Sequence, residues 1–174
     1  MISTAFDRGE FAVVIFLELS KAFDTVNHII YYDKIERYGI LGSALDWIRS
    51  YFSKRKQYVE CNGHRPLRNK ISFGVPQGSI LGLLFFVLYC NDTNNASNLL
   101  NLTLFADDTN VFMSHKYLNY LSDMLNLEMD KLSIWFKAKK LSLNLKNTKF
   151  MFFQPRQKRP ICNVQMSIDN QNIV

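Results

Sequence analysis

The sequence predicts an α+β fold in which an antiparallel sheet packs on helices, and three observations carry that prediction. Short β-branched and aromatic runs, FAVVIFL at residues 11–17, LTLFA at 102–106 and TNVFM at 109–113, have the length of strands. The last two are separated by only Asp107-Asp108, which is hairpin spacing. A longer stretch, 117–140, carries Leu118, Leu121, Leu125, Leu132 and Trp135 at helical spacing. The chain has 174 residues, 48% of them hydrophobic, and so can bury one sizeable core without disulfides or structural metal.

Taken in order, the buried run 11–17 is closed by the carboxylate Glu18, and residues 20–24 form a turn. Residues 28–38 show helical periodicity that stops at Gly39, a residue suited to a helix C-terminus. Ser43 opens a second amphipathic helix with Leu45, Ile48, Tyr51 and Phe52 on one face, ending near Lys54-Arg55-Lys56. Runs at 57–61 and 69–73 flank Asn62-Gly63-His64-Arg65-Pro66, which predicts a hairpin with a basic tip. Gly74-Val75-Pro76-Gln77-Gly78 is a loop leading into a helix, 79–89, that is apolar on nearly every side and therefore belongs in the core. A polar loop follows at 91–98. After the long helix, 141–144 and 150–153 supply two short strands, and past Pro155 a polar, basic tail is expected over 156–174.

The net charge of +6 is unevenly placed: residues 131–160 hold nine Lys or Arg and no Asp or Glu. Such a tract, with Lys137, Lys139 and Lys140 in it and Lys54, Arg55, Arg65 and Arg68 near the hairpin tip, suits a polyanion, and is equally a solvated face. Cys61, Cys90 and Cys162 are too few and too scattered for a disulfide framework or a zinc site. The first residues lack the pattern of a signal peptide, and the longest apolar run is too short for a bilayer that needs about 20 residues. An intracellular protein, nuclear or cytoplasmic and without membrane contact, is expected.

Two residues stand out chemically. Adjacent carboxylates in one turn repel each other, and divalent cations offset that cost most simply, although Asp is also an ordinary turn residue. Were the Glu18 strand to lie beside the Asp107-Asp108 hairpin, three carboxylates would meet at one sheet edge, the donor set of a two-metal phosphoryl-transfer site. The 74–78 loop offers backbone for close approach to a ligand and Gln77 as a polar contact; by itself it is also a plain helix start.

The strings FLELSKAFDTVNH, GVPQGSILG, LFADD and LSLNLKNTK occur in an order and spacing that resembles the reverse transcriptase domain of non-LTR (LINE-type) retrotransposons. The resemblance runs over residues 11–153 and implies a right-hand polymerase palm with part of the fingers over 1–155, cut before a thumb. It implies RNA-directed DNA synthesis from an RNA template, a DNA primer and deoxynucleoside triphosphates, with Mg²⁺ or Mn²⁺. Asp107 and Asp108 then resemble the catalytic, metal-binding pair, with Glu18 in the place of the third metal-ligating Asp. Phe23 looks like the aromatic gate against the nucleotide sugar, Gln77 and Gly78 match the nucleotide-contacting loop, and Lys149 falls in a motif whose lysine serves pyrophosphate. Asp24 is expected to be structural.

Three positions depart from the family pattern: Glu18 for Asp, Leu83 for Pro, and Asn147 for Lys. Moving a carboxylate by about 1 Å can cost roughly 10²-fold in rate, so a weak or inactive polymerase is expected from this chain. The alternatives are a non-catalytic nucleic-acid-binding remnant of a decayed element, using the basic residues above, and a product without function that aggregates.

Overall fold

The computed structural model describes residues 1–53, 56–57, 69–70, 72–155, 158, 165–169 and 171–173. Its elements run α1 (Ile2–Asp7), β1 (Phe11–Ser20), α2 (Ala22–Thr25), α3 (His28–Arg37), α4 (Gly42–Ser53), β2 (Lys56–Gln57), β3 (Asn69–Lys70) and α5 (Ile80–Cys90). A 3₁₀ turn (Thr93–Ala96) leads to β4 (Asn101–Phe105), β5 (Asp108–His115), α6 (Leu118–Ala138), β6 (Ser142–Leu143), β7 (Lys149–Phe153), β8 (Met166–Ile168) and β9 (Gln171–Ile173). The mixture is α+β with antiparallel strand pairing, as the periodicities predict. The chain divides into two compact units, residues 1–20 with 91–174, and residues 21–90.

In the first unit a five-stranded sheet has the order β4-β5-β1-β6, with β7 also paired to β1. Alternation decides which face is buried. Phe11, Val13, Ile15, Leu17 and Leu19 of β1 and Thr109, Val111 and Met113 of β5 turn inward. The intervening residues, Phe16, Glu18, Asp108 and Asn110 among them, take the other face and are half-buried or exposed, apart from the buried Ala12. Helix α6 contacts β5, β6 and β8 and buries Leu121, Leu125, Met129, Leu132 and Phe136. Trp135, expected on that buried face, is only half-buried.

The second unit is held by an aromatic cluster. Phe52 of α4 meets Tyr31 of α3 edge-on (5.6 Å between ring centroids), Phe85 of α5 (5.1 Å), and the stacked ring of His28 (4.5 Å). Helix α3 starts where its sequence provides a cap: the Asn27 side chain accepts from the backbone N–H groups of Ile29 and Ile30. Lys34, buried, reaches past Tyr38 and Tyr89 to donate its Nζ to the Tyr89 carbonyl at the end of α5. A cation there suits the negative end of a helix.

Several expectations are corrected. Strand β1 does not stop before Glu18; it continues to Ser20 because Leu19 and Ser20 pair with β6. The hairpin turn is Ala106-Asp107, not Asp107-Asp108: Ala106 takes a φ of 54° and Asp108 joins β5 opposite Phe105. Helix α5 is not buried all round, since Ile80, Leu83, Leu84 and Val87 are exposed while Gly82, Phe85, Phe86 and Tyr89 are not. The stretch expected as a polar tail contains the β8–β9 hairpin, whose Met166, Ile168 and Ile173 are buried. Helix α1 has no counterpart in the sequence reading. No helix among the described residues is long and apolar enough to cross a membrane.

Candidate carboxylate site and loop

The first unit collects the candidate carboxylates. Strands β1 and β5 pair antiparallel with Glu18 directly opposite Asp108, so their side chains share one sheet face with Cβ atoms roughly 5 Å apart. Asp108 is exposed and Asp107, in the turn beside it, half-buried. Lys149 opens β7 opposite Phe16, two residues before Glu18 and thus on the same face.

Glu18 is not free to follow its register. Asn144 donates its Nδ2 to one carboxylate oxygen at 3.0 Å, and Asn147 donates its Nδ2 to the other at 2.8 Å. The Asn144 backbone N–H also donates to the Glu18 carbonyl at 2.8 Å. Sequence reasoning noted Asn147 only as a departure from a family pattern and missed Asn144. The one available signal was two asparagines three residues apart in a turn-forming stretch.

In the second unit the 74–78 loop is tied to the segment that carries Phe23. Val75 N–H donates to the Phe23 carbonyl and Gly74 N–H to the Val26 carbonyl, both at 2.7 Å. The buried His28 ring nitrogen Nε2 donates to the Gly74 carbonyl at 2.8 Å. Gly74 has a φ of 86°, and a Cβ there would meet Asp24 backbone at 3.0 Å, so no other residue fits well. Phe23 is half-buried, its ring 4.8 Å from that of Phe86, while Gln77 and Gly78 are exposed at the loop tip. Asp24 is exposed, and its backbone forms part of the wall against Gly74.

The basic candidates fare differently. Lys54, Arg55, Arg65 and Arg68 lie outside the described residues. Lys137 pairs with Asp169 at 2.6 Å, and Lys139 pairs with Asp92 at 3.1 Å while lying over the Trp135 ring. Two of the three expected phosphate contacts therefore already have carboxylate partners, which lowers the local positive potential. Lys140, in contrast, is exposed just past α6.

Fold and motif order together define a polymerase-related class. The chain belongs to the family "Reverse transcriptase (RNA-dependent DNA polymerase)", whose sequence profile matches residues 2–168. Its relatives include "Probable RNA-directed DNA polymerase from transposon X-element" of Drosophila melanogaster, 27% identical over 163 residues, covering 91% of this chain and 18% of that protein. Another is "RNA-directed DNA polymerase from mobile element jockey" of Drosophila funebris, 29% identical over 150 residues, covering 80% of this chain and 16% of that one. These are LINE-type elements, so the chain is a reverse transcriptase domain of that kind, spanning under a fifth of the length of either relative. Among solved structures, a telomerase from Candida albicans in complex with a fragment of telomeric RNA shares the fold, with a TM-score of 0.59 at 13% identity, covering 98% of this chain and 31% of that one.

The family generally uses divalent metals. Carboxylates are the right donors for them, yet among the described residues no group of three His, Cys, Asp or Glu side chains is placed to hold an ion. Asp107 and Asp108 stand together, but both oxygens of Glu18 are engaged by amides that come from the opposite edge of β1. The three-carboxylate set implied by the motifs does not fit this arrangement.

Proposed function

We propose that this chain is the palm, with part of the fingers, of the RNA-directed DNA polymerase of a LINE-type retrotransposon, and that as it stands it polymerises weakly or not at all. The single observation that carries the assignment is the Ala106-Asp107 turn. It sets two consecutive carboxylates at the end of a hairpin whose second strand lies against β1, with Asp108 opposite Glu18. The reaction of this class is in-line attack of a primer 3′-hydroxyl on the α-phosphate of a deoxynucleoside triphosphate, with pyrophosphate leaving. Asp107 and Asp108 are the catalytic carboxylates the chain offers, and Mg²⁺ or Mn²⁺ belongs to the assignment as the family's cofactor. Phe23, backed by Phe86, would lie flat against the sugar; Gln77 and Gly78 would meet the base and phosphates; Lys149 would serve the leaving group. RNA template and DNA primer are the partners, with Lys140 and the basic residues near 54–68 as backbone contacts.

Primer extension on an RNA template in Mg²⁺ or Mn²⁺ tests this, comparing the native chain with Glu18→Asp and Asp107→Ala. Negligible incorporation by the native chain, restored in Glu18→Asp and absent in Asp107→Ala, is the expected pattern. Robust native incorporation that Asp107→Ala abolishes would keep the polymerase and discard the weak activity. Silence in all three with salt-sensitive RNA binding would favour the non-catalytic binding remnant.

A further inference from the structure

We infer that Glu18 is a positioning residue that latches the 144–147 turn onto the end of β1, and that it does not join Asp107 and Asp108 as a ligand of a divalent cation. The latch has three points: the Asn144 amide side chain at one carboxylate oxygen, the Asn147 amide side chain at the other, and the Asn144 backbone N–H at the Glu18 carbonyl. Hydrogen bonds to an ionised acceptor are among the stronger ones, and here both oxygens are used.

The turn is built to present those amides. Asn147 N–H and Thr148 N–H both donate to the Asn144 carbonyl, at 3.1 and 3.0 Å. The Thr148 hydroxyl donates to the same oxygen at 3.0 Å, from a residue only 2% exposed. Asn144 and Asn147 are thereby fixed one turn apart, with their side chains reaching the two oxygens of a single carboxylate. Both come from the β6–β7 side of β1, whereas Asp108 lies on the β5 side. Two carboxylates facing across a strand pair repel, and leaning toward the amides relieves that as well.

The length of the side chain matters. An Asp at position 18, one methylene shorter, falls short of the two amides and leaves its carboxylate beside Asp108. Two of the departures seen in the sequence, Glu18 and Asn147, are thus in direct contact and complement each other: one supplies the acceptor, the other the donor.

Mn²⁺ binding, followed by the electron paramagnetic resonance of free Mn²⁺, and amide hydrogen exchange at Thr148 test the latch on the full chain, with circular dichroism to confirm folding. The double variant Asn144→Ala/Asn147→Ala, which frees Glu18, is expected to bind Mn²⁺ about tenfold more tightly and to exchange Thr148 faster, and adding Glu18→Gln should remove the gain in affinity. Glu18→Asp should likewise bind more tightly. Glu18→Gln alone, nearly the same shape, should leave Mn²⁺ affinity within about threefold of the native chain while Thr148 exchange rises. The inference is overturned if folded Glu18→Gln loses Mn²⁺ affinity tenfold or more, which would make Glu18 a ligand. It is also overturned if neither the asparagine variants nor Glu18→Asp changes affinity or exchange. None of these readouts requires polymerisation, so primer extension that stays silent in the native chain and in Glu18→Asp alike would remove the proposed polymerase and leave the latch to be judged on its own.

Discussion

Gly82→Ala is the substitution whose outcome the geometry determines most narrowly. On a helix, Gly→Ala ordinarily stabilises by about 1 kcal/mol. At Gly82 the added Cβ would sit 2.0 Å from the Pro76 carbonyl oxygen and 2.9 Å from the Ser79 hydroxyl, against the 3.0 Å below which real Cβ atoms essentially never come. The obstacle is backbone, and it is held in place. Pro76 O accepts from the Ser79 hydroxyl at 2.9 Å, and that hydroxyl accepts from Gly82 N–H at 3.0 Å. Relief means moving the Pro76 peptide by about 1 Å and breaking the Ser79 cap, an overpacking cost of roughly 1–3 kcal/mol plus about 1 kcal/mol for the cap. With the propensity gain set against them, a net loss of about 2 kcal/mol remains, or roughly 4–8 °C in the melting midpoint of a chain this size. Thermal unfolding followed by circular dichroism measures it, with Leu83→Ala, at the next and half-exposed position, as the control. A midpoint in Gly82→Ala equal to or above that of the native chain would refute the packing argument.

Two further outcomes follow from single side chains. Tyr31 is fully buried, its hydroxyl has no hydrogen-bond partner among the described residues, and burial pushes its phenol well above the usual value. Tyr31→Phe should therefore raise the midpoint by about 2–4 °C, corresponding to roughly 1 kcal/mol, and a drop of that size would reveal a missed partner. Asp169 is held below the ordinary carboxylate range by the hydrogen bond from Lys137, against the opposing effect of burial, with Ser133 and the Lys137 charge adding to the lowering. A depressed carboxylate stabilises the fold above its unfolded value of about 3.9 and loses that contribution as pH falls through the folded value. Asp169→Asn should melt below the native chain at pH 7 and converge with it at lower pH; a gap that persists unchanged at pH 3 would contradict the assignment.

Elements with a strong period were legible in the sequence. The β1 run, the paired runs around Asp107, and helices α3, α4 and α6 all declare themselves through residues that the structure buries, such as Val13, Val111, Ile35, Phe52 and Leu125. What escaped lacks a local signal. Helix α1 buries only Ala5, and β8–β9 rests on three apolar residues within a polar stretch. The hairpin shifted by one residue because Ala106, not an acidic residue, adopts the positive φ. Helix α5 is apolar all round in composition but buried on one side only. At the candidate site the carboxylates could be named from the motifs. The amides that hold Glu18 could not, because a contact across 126 or 129 residues leaves no trace in spacing. Nor could the carboxylates that hold Lys137 and Lys139.

The placement of residues 21–90 between the two stretches of the first unit has a consequence for synthesis. Strand β1 finds its β5 partners 90 to 104 residues later in the chain, from Glu18↔Asp108 to Phe11↔His115. At translation rates of roughly 5–20 residues per second, FAVVIFL waits on the order of 5–20 s with both edges unpaired. The second unit, contiguous in sequence, can fold during that interval. The first cannot, and its most β-prone segment is the one left exposed longest, an opening for association between nascent chains.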